Sequence, residues 1–383
     1  MDLDGRTKST RRRRQNRGSI SPPACSNTDI AARALQHIIV IGAGLAGLTV
    51  AIALAKGGHQ VEILESAPVI TYIGAGIQVS SNSSRILRRL GIDKYLEKYC
   101  TEPVDLRMMR WEDGQLLAAQ STSTPASSPS INPDAGSLLT KDAVTYSGDL
   151  IVASDGLNSM ARAVVLGRSA PPIPTGQMAY RVTLPAAKLR GIPELEEMIT
   201  VPRNNHFLGP HGTILSYLLQ GQNEPLINFV LTCDVNETDL PPGVDQRMGT
   251  AKEVRNSFKG WDPRIETMLE RGHEHRRRRD PRRHPLASAL LRPSALAAAL
   301  PLYERLRLGR TAKVAAASVE SRWFTQMEDG EKQRERDAWL LLHPGIEEGH
   351  INLRSDKLWL DELFGYDAYQ VLEEALREVP TEA

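Results

Sequence analysis

Residues 38–65 read IIVIGAGLAGLTVAIALAKGGHQVEILE. An apolar run, Ile38 to Ile41, delivers a Gly42-x-Gly44-x-x-Gly47 turn. An Ala-rich apolar helix follows, and a second strand from Val61 to Leu64 ends in Glu65. This strand–turn–helix–strand order is what the ADP half of a dinucleotide needs. Gly42 permits the tight turn, Gly44 lets the backbone approach a pyrophosphate, and Gly47 lets the helix pack closely on the strands. Free N–H groups at the helix N-terminus, with their partial positive charge, favour the phosphates. Glu65 stands about 20 residues on, where a carboxylate accepts hydrogen bonds from ribose hydroxyls. The same carboxylate repels a 2′-phosphate, which points to FAD or NAD and away from NADP as the bound nucleotide. Ile38 to Ala55 is also close to the roughly 18 apolar residues of a membrane-span candidate. The spaced glycines, the βαβ reading and the lack of a second apolar span argue against a membrane span.

The bulk properties agree with a globular chain. Its 383 residues suffice for two domains and a large core. Hydrophobic residues make up 41% and charged residues 24%, ordinary for a soluble protein. A formal net charge of +1 creates no global field for nucleic acid or an anionic membrane. Cys25, Cys100 and Cys233 are far apart and form no CxxC pair, so neither a zinc site nor a disulfide framework is indicated. A reducing, cytoplasmic setting is the expectation. Residues 1–36 carry Arg11 to Arg14 among Ser, Pro, Asn and Thr, and read as a disordered basic tail without the apolar centre of a secretory signal.

Beyond Glu65, Ser81 to Leu90 predicts a short amphipathic helix with Arg85, Arg88 and Arg89 outside. Leu106 to Ala119 predicts a hairpin turning at Glu112-Asp113-Gly114, and residues 120–137 a Ser/Thr/Pro-rich loop. Residues 144–153 read as a strand pair delivering Ser154-Asp155-Gly156, a turn at the carboxyl edge of a sheet. Gln177 to Leu184, Met198 to Val201, Thr213 to Leu219 and Leu226 to Thr232 predict strands of a mostly antiparallel second domain. His206 and His211 flank Phe207 to Pro210 and read as loop residues. Val254 to Leu269 predicts helix broken at Asp262-Pro263. Residues 271–300 join a dense Arg/His run to an Ala/Leu stretch interrupted by prolines. His273, His275 and His284 lie among Arg charges that oppose a metal cation. Residues 301–342 again predict helix.

Together these pieces resemble the FAD-dependent aromatic hydroxylases of the salicylate- and p-hydroxybenzoate-hydroxylase type, and are most similar to fungal monooxygenases that tailor secondary metabolites. The matching residues are Gly42 to Gly47, Glu65 to Pro68, Ile73 to Gln78, Arg110 to Gly114, Ser154 to Gly156, Ala179-Tyr180-Arg181, Gly260 to Arg264 and Tyr303 to Arg307. They cover most of residues 38–270 and resume near 301. The resemblance implies an α/β fold, a Rossmann-like FAD-binding domain carrying an inserted, mostly antiparallel substrate domain. Its divisions would be the tail (1–36), the first part of the FAD domain (37–170), the substrate domain (171–250) and a helical remainder (251–383). It implies that NAD(P)H reduces bound FAD and that one oxygen atom of O2 passes to an electron-rich ring. It further implies that Gly42, Gly44, Gly47 and Glu65 hold the ADP part, with Asp155 and Gly156 also binding the cofactor. Ala75 and Gly76 would approach the flavin, and Arg181 and Tyr217 would hold a substrate phenolate. The expected partners are a small aromatic substrate and O2, in a monomer or homodimer.

The sequence also departs from the family. The Arg-Ala-Asp-Leu-type segment before the Asp-Gly motif has no counterpart, and Ala153 replaces the usual Gly. The Gly-Asp-Ala…His-Pro segment that binds the ribityl and pyrophosphate is absent, and the Arg/His run stands in its place. Such sequence between matched flanks is what a shifted frame or retained intron would encode. Two other readings therefore stand beside the hydroxylase: an inactive flavoprotein-like chain, and an NAD-dependent dehydrogenase built on the same βαβ unit.

Overall fold

The computed structural model describes residues 18–20, 36–68, 76–97, 100–121, 136–139, 145–173, 175–221, 224–234, 246–271, 275–279, 288–291 and 296–377. It divides into two compact units. One gathers Met1–Thr71, Asn132–Ala170 and Leu286–Leu300, and the other Tyr72–Ile131, Pro171–Pro285 and Pro301–Ala383.

The first unit is built on a five-stranded sheet. Strands β1 (Gly18–Ile20), β2 (His37–Ile41) and β3 (Gln60–Leu64) join β8 (Leu150–Ala153) and β15 (Ser288–Leu291) in the order β1-β3-β2-β8-β15. β2 pairs in parallel with β3 and β8, whereas β1 and β15 run antiparallel at the two edges. Helix α1 (Leu45–Lys56) is the crossover from β2 to β3. Ile38, Val40, Val61, Leu150 and Val152 bury one sheet face against Ala51, Leu54 and Ala55 of α1. All-apolar strands are what a parallel sheet covered on its faces requires. The tail expected to be disordered supplies β1, which meets the otherwise open backbone edge of β3. β6 (Gly136–Leu139) and β7 (Thr145–Gly148) form a hairpin, and α4 (Ala161–Leu166) follows β8.

The second unit carries an eight-stranded sheet in the order β13-β14-β9-β12-β11-β10-β4-β5. Its strands are β4 (Asp105–Arg110), β5 (Leu116–Ser121), β9 (Gln177–Pro185), β10 (Asn204–Gly209), β11 (Gly212–Gln220), β12 (Pro225–Asp234), β13 (Gln246–Gly249) and β14 (His275–Arg279). All pairings are antiparallel except β4 with β10. One face, with Tyr180, Val182, Phe207, Ile214 and Phe229, packs on α5 (Pro193–Thr200), α6 (Ala251–Ser257) and α7 (Pro263–Arg271) through Leu195, Val254 and Ile265. At the β4–β5 end, Met108, Leu117 and Leu208 on the opposite face pack on Phe324 and Leu340, from α8 (Leu296–Thr325) and α9 (Glu331–Leu342). α2 (Ser81–Arg89), α3 (Asp93–Leu96), α10 (Lys357–Gly365) and α11 (Ala368–Arg377) complete the elements.

Three expectations are corrected here. Met198 to Val201, read as a strand, closes helix α5. Pro193 opens that helix, Glu194 and Glu196 occupy its first turn, and Leu195, Met198 and Ile199 give it a buried face at helical spacing. His206, read as a loop residue, lies inside β10, which sequence reading missed because Asn204-Asn205-His206 breaks the apolar pattern. Arg85 and Arg89 of α2 do not point to solvent. Arg85 donates to the carbonyls of Phe364 and Gly365 at the C-terminus of α10, and the Arg89 guanidinium lies 4.8 Å from the Tyr369 ring centroid. Arg85 there complements the negative end of the α10 dipole.

Candidate functional site

The first unit presents the glycine elbow. Gly42 adopts φ +97°, where a side chain is strained, and a Cβ there would stand 2.5 Å from the Ser154 carbonyl oxygen. A Cβ on Gly47 would run into the carbonyl of Gly42. These two glycines let β2, α1 and the turn after β8 close on one another. Gly44 is different: nothing stands within 4 Å of the Cβ position, so its bare backbone faces open space. That is the cradle a pyrophosphate would fill. Beside it the Ser154 hydroxyl is buried with no hydrogen-bond partner among the described residues.

Glu65 closes the elbow from the end of β3. Its carboxylate accepts from the Ala43 N–H at 2.8 Å and from the Ala67 N–H at 2.8 Å, and the Ser66 hydroxyl adds a third bond at 3.3 Å. Burial pushes its pKa up, but the backbone bonds from Ala67 and Ala43 and the Ser66 contacts outweigh that and hold it below the ordinary carboxylate value. Glu65 is thus ionised at neutral pH and fixes the turn, with lone pairs left for a ribose. Asp155 holds the neighbouring turn. It accepts from the Ser159 hydroxyl at 2.7 Å and the Met160 N–H at 2.8 Å, ahead of α4. Gly156 follows at φ +78°. The structure therefore brings Gly42, Gly44, Gly47, Glu65, Asp155 and Gly156 into one unit, and the first four fit the ADP part of a dinucleotide.

The second unit presents a polar sheet face. Alternation along the strands puts Tyr180 and Val182 in the core and Arg181 and Thr183 on the other side. Register then aligns Thr183, Asn228 and Tyr217 in one cross-strand row, and Arg181, Val230, Leu215 and His206 in the next. Asn228 is fully buried and accepts from the Thr183 hydroxyl at 3.1 Å. The Tyr217 hydroxyl donates to the Gly76 carbonyl at 3.3 Å. A Cβ on Gly76 would strike Leu219 and stand 3.1 Å from the Tyr217 ring, so this glycine is what lets its segment lie against β11. Burial raises the Tyr217 pKa, opposed by the Arg181 charge, and the phenol stays protonated at neutral pH. Among the described residues no carboxylate pairs with Arg181. Ala75 lies outside the described residues, as do His273 and His284.

Two motifs read as family signatures form a structural knot in this unit. The Trp111 and Trp261 rings meet edge to face at 5.9 Å, and the Asp262 N–H donates to the Trp111 carbonyl at 2.7 Å. Asp262 pairs with Arg264 at 2.5 Å, and Arg264 reaches the Gly114 carbonyl at 3.2 Å. These contacts tie Arg110 to Gly114 and Gly260 to Arg264 together as one packed unit.

Comparison with known proteins bears on both units. Residues 37–96 match the FAD binding domain family. The chain is 27% identical to the FAD-dependent monooxygenase OpS4 of Beauveria bassiana, over 89% of this chain and 97% of that protein. The alignment runs over 421 positions, more than this chain's 383 residues, so OpS4 holds segments without counterpart here. The 3-amino-4-hydroxybenzoate 2-monooxygenase PtmB3 of Streptomyces platensis is 28% identical over 61% of this chain and 65% of its own length. A salicylate hydroxylase solved with its substrate superposes with a TM-score of 0.68 at 20% identity, covering 91% of this chain and 99% of that one. That last likeness is one of fold.

Proposed function

Starting from a chain akin to the FAD-dependent aromatic hydroxylases, we propose that this protein hydroxylates a phenolic or aromatic substrate with FAD, NAD(P)H and O2, in the manner of fungal secondary-metabolite tailoring. FAD, when bound, supplies the electron and oxygen chemistry. The elbow residues Gly42, Gly44 and Gly47 hold its phosphates, and Glu65 meets its ribose while keeping the turn closed. Gly76, with Ala75 before it, serves the flavin end.

The observation that carries the reading is the polar sheet face of the second unit. Arg181 and Tyr217 stand at the rim of a partly exposed apolar strip, Val230 and Leu215. An aromatic ring resting on that strip keeps its face against carbon. Its hydroxyl meets a guanidinium that favours the phenolate and a neutral phenol that would donate to it in place of the Gly76 carbonyl. A phenolate is the more electron-rich ring, so this pair both orients and activates.

Purified protein tests this directly. Flavin absorbance in the isolated protein, with NADH or NADPH oxidation accelerated by added phenols, is the expected result. A second reading, a nucleotide-binding chain without turnover, draws on the absent Gly-Asp-Ala…His-Pro segment and the longer OpS4 alignment. Colourless protein that melts higher with FAD yet oxidises no reductant would select that reading. Stabilisation by NAD but not by FAD would select the dehydrogenase.

A further inference from the structure

Helix α8 turns one face inward. Arg307 and Arg310 donate to the Tyr366 hydroxyl and the Leu363 carbonyl at 3.3 and 2.8 Å, and Phe324 is buried against the β4–β5 end of the sheet. The opposite face has no apolar partner among the described residues. Leu308, Ala312, Ala316, Val319 and Trp323 follow one another at spacings of four, four, three and four, which places them on one stripe. All five are exposed, Leu308 to 52%, Val319 to 36% and Trp323 to 64%. The stripe runs for roughly 22 Å along the helix, and no charged residue sits on it. Single exposed apolar side chains are ordinary on a protein surface, whereas a continuous stripe of them marks an interaction site. Leu358 of α10, one turn before Glu362 and 59% exposed, extends the apolar surface beside Lys313, which pairs with Glu362.

The order of residues along the stripe suits a copy of itself. Laid antiparallel on a second α8, about a two-fold axis beside Ala316, Leu308 meets the partner's Trp323 and Ala312 meets the partner's Val319. Each large side chain thus faces a smaller one. Gly309, next to Leu308 and with nothing within 4 Å of its Cβ position, leaves room for the indole. With alanine at the crossing the helix axes can approach to about 8 Å. The charges agree. Lys313 and Glu320, both exposed, line the same edge of the stripe, and the two-fold sets Glu320 against the partner's Lys313 twice over. Glu320 has no ion-pair partner within its own chain among the described residues. A parallel pairing would instead oppose like charges, so Lys313 and Glu320 select the antiparallel one. We infer that the outward face of α8 is a two-fold interface between two copies of this chain. An interface built on one helix pair is small, so the dimer forms in the micromolar range and dissociates on dilution.

Sedimentation equilibrium of the purified full chain, from about 1 to about 100 µM, tests this. The expected result is a monomer–dimer equilibrium with its midpoint inside that range. Ala316→Arg sets two like charges against each other at the axis and should weaken association by about a hundredfold or more, with unchanged melting. Glu320→Lys should weaken it by about tenfold. An equimolar mixture of Glu320→Lys and Lys313→Glu chains should associate more tightly than either variant alone, because the mixed dimer regains both ion pairs. Ala316→Cys should oxidise to a cross-linked dimer above the wild-type background, whereas Ser318→Cys, exposed but off the stripe, should not. The inference is overturned if wild type stays monomeric throughout, which would leave the stripe to a different partner. It is equally overturned if the dimer survives Ala316→Arg, or if Ala316→Cys cross-links no faster than Ser318→Cys. Should Ala316→Arg fail to fold, the mixed-charge experiment and the cysteine pair carry the test, and no gain on mixing refutes the idea.

Discussion

Glycine does two different jobs in this chain. At Gly47 a methyl group would meet the carbonyl of Gly42, in backbone that cannot move without parting α1 from β2. Gly47→Ala should therefore cost about 1–3 kcal/mol and abolish the rise in melting temperature produced by FAD. An unchanged FAD-induced shift would refute the cradle. At Gly76 the obstacle is the Tyr217 ring and the end of Leu219. Gly76→Ala should leave the elbow and its hold on the ADP part intact, while loosening the flavin end and lowering the affinity for phenols. Tyr217→Phe removes one donor and leaves the ring. A loss of tenfold in kcat/KM, about 1.4 kcal/mol, is expected, with little change in stability. A variant as active as wild type would dismiss Tyr217 from the site.

Among elements, those with one clear physical cause were legible in the sequence. The β2–α1–β3 unit was, because its glycines, apolar runs and acid occur at fixed spacing. The hairpin of β4 and β5 was, because Glu112-Asp113-Gly114 turns between alternating strands. Helix α6 was read only from Val254, and its start at Ala251 is set by a cap. Thr250 accepts from the Glu253 N–H while Glu253 accepts from the Thr250 N–H, a reciprocal cap. Thr250→Ala should cost about 1 kcal/mol in urea unfolding. What sequence could not give is partnership at long range. The row of Arg181, Val230, Leu215 and His206 exists only through the registers of β9, β12, β11 and β10. The charge of Arg354 reaches His206 from a segment more than a hundred residues away in the chain. The strands β14 and β15 were hidden for another reason: an all-Arg run and Ser288 to Leu291 carry no strand periodicity. β14 is held between β13 and β9, and β15 extends the edge at β8, places where backbone pairing matters more than side-chain pattern.

For the molecule as a whole, pH should report on the buried polar face. His206 is neutral in the folded protein because burial, and then Arg354 and Arg336, pull its pKa well below 6.5. His350 is shifted the same way, chiefly by burial. In the unfolded chain both imidazoles titrate near 6.5. Below that pH the unfolded state takes up protons that the folded state refuses, so stability falls as pH falls. Above it neither state is charged and the contribution is complete. Glu65 acts in the same direction but only below its ordinary value of 4.5, outside this window. The unfolding free energy should thus be level above pH 7 and decline between pH 6.5 and 5, by up to about 1.4 kcal/mol per pH unit for each histidine involved. His206→Gln, neutral throughout, should flatten that decline by one proton's worth, read as the difference in unfolding free energy between pH 7 and pH 5. If wild type and variant lose stability in parallel, His206 is protonated in the folded state despite its burial and the charges of Arg354 and Arg336.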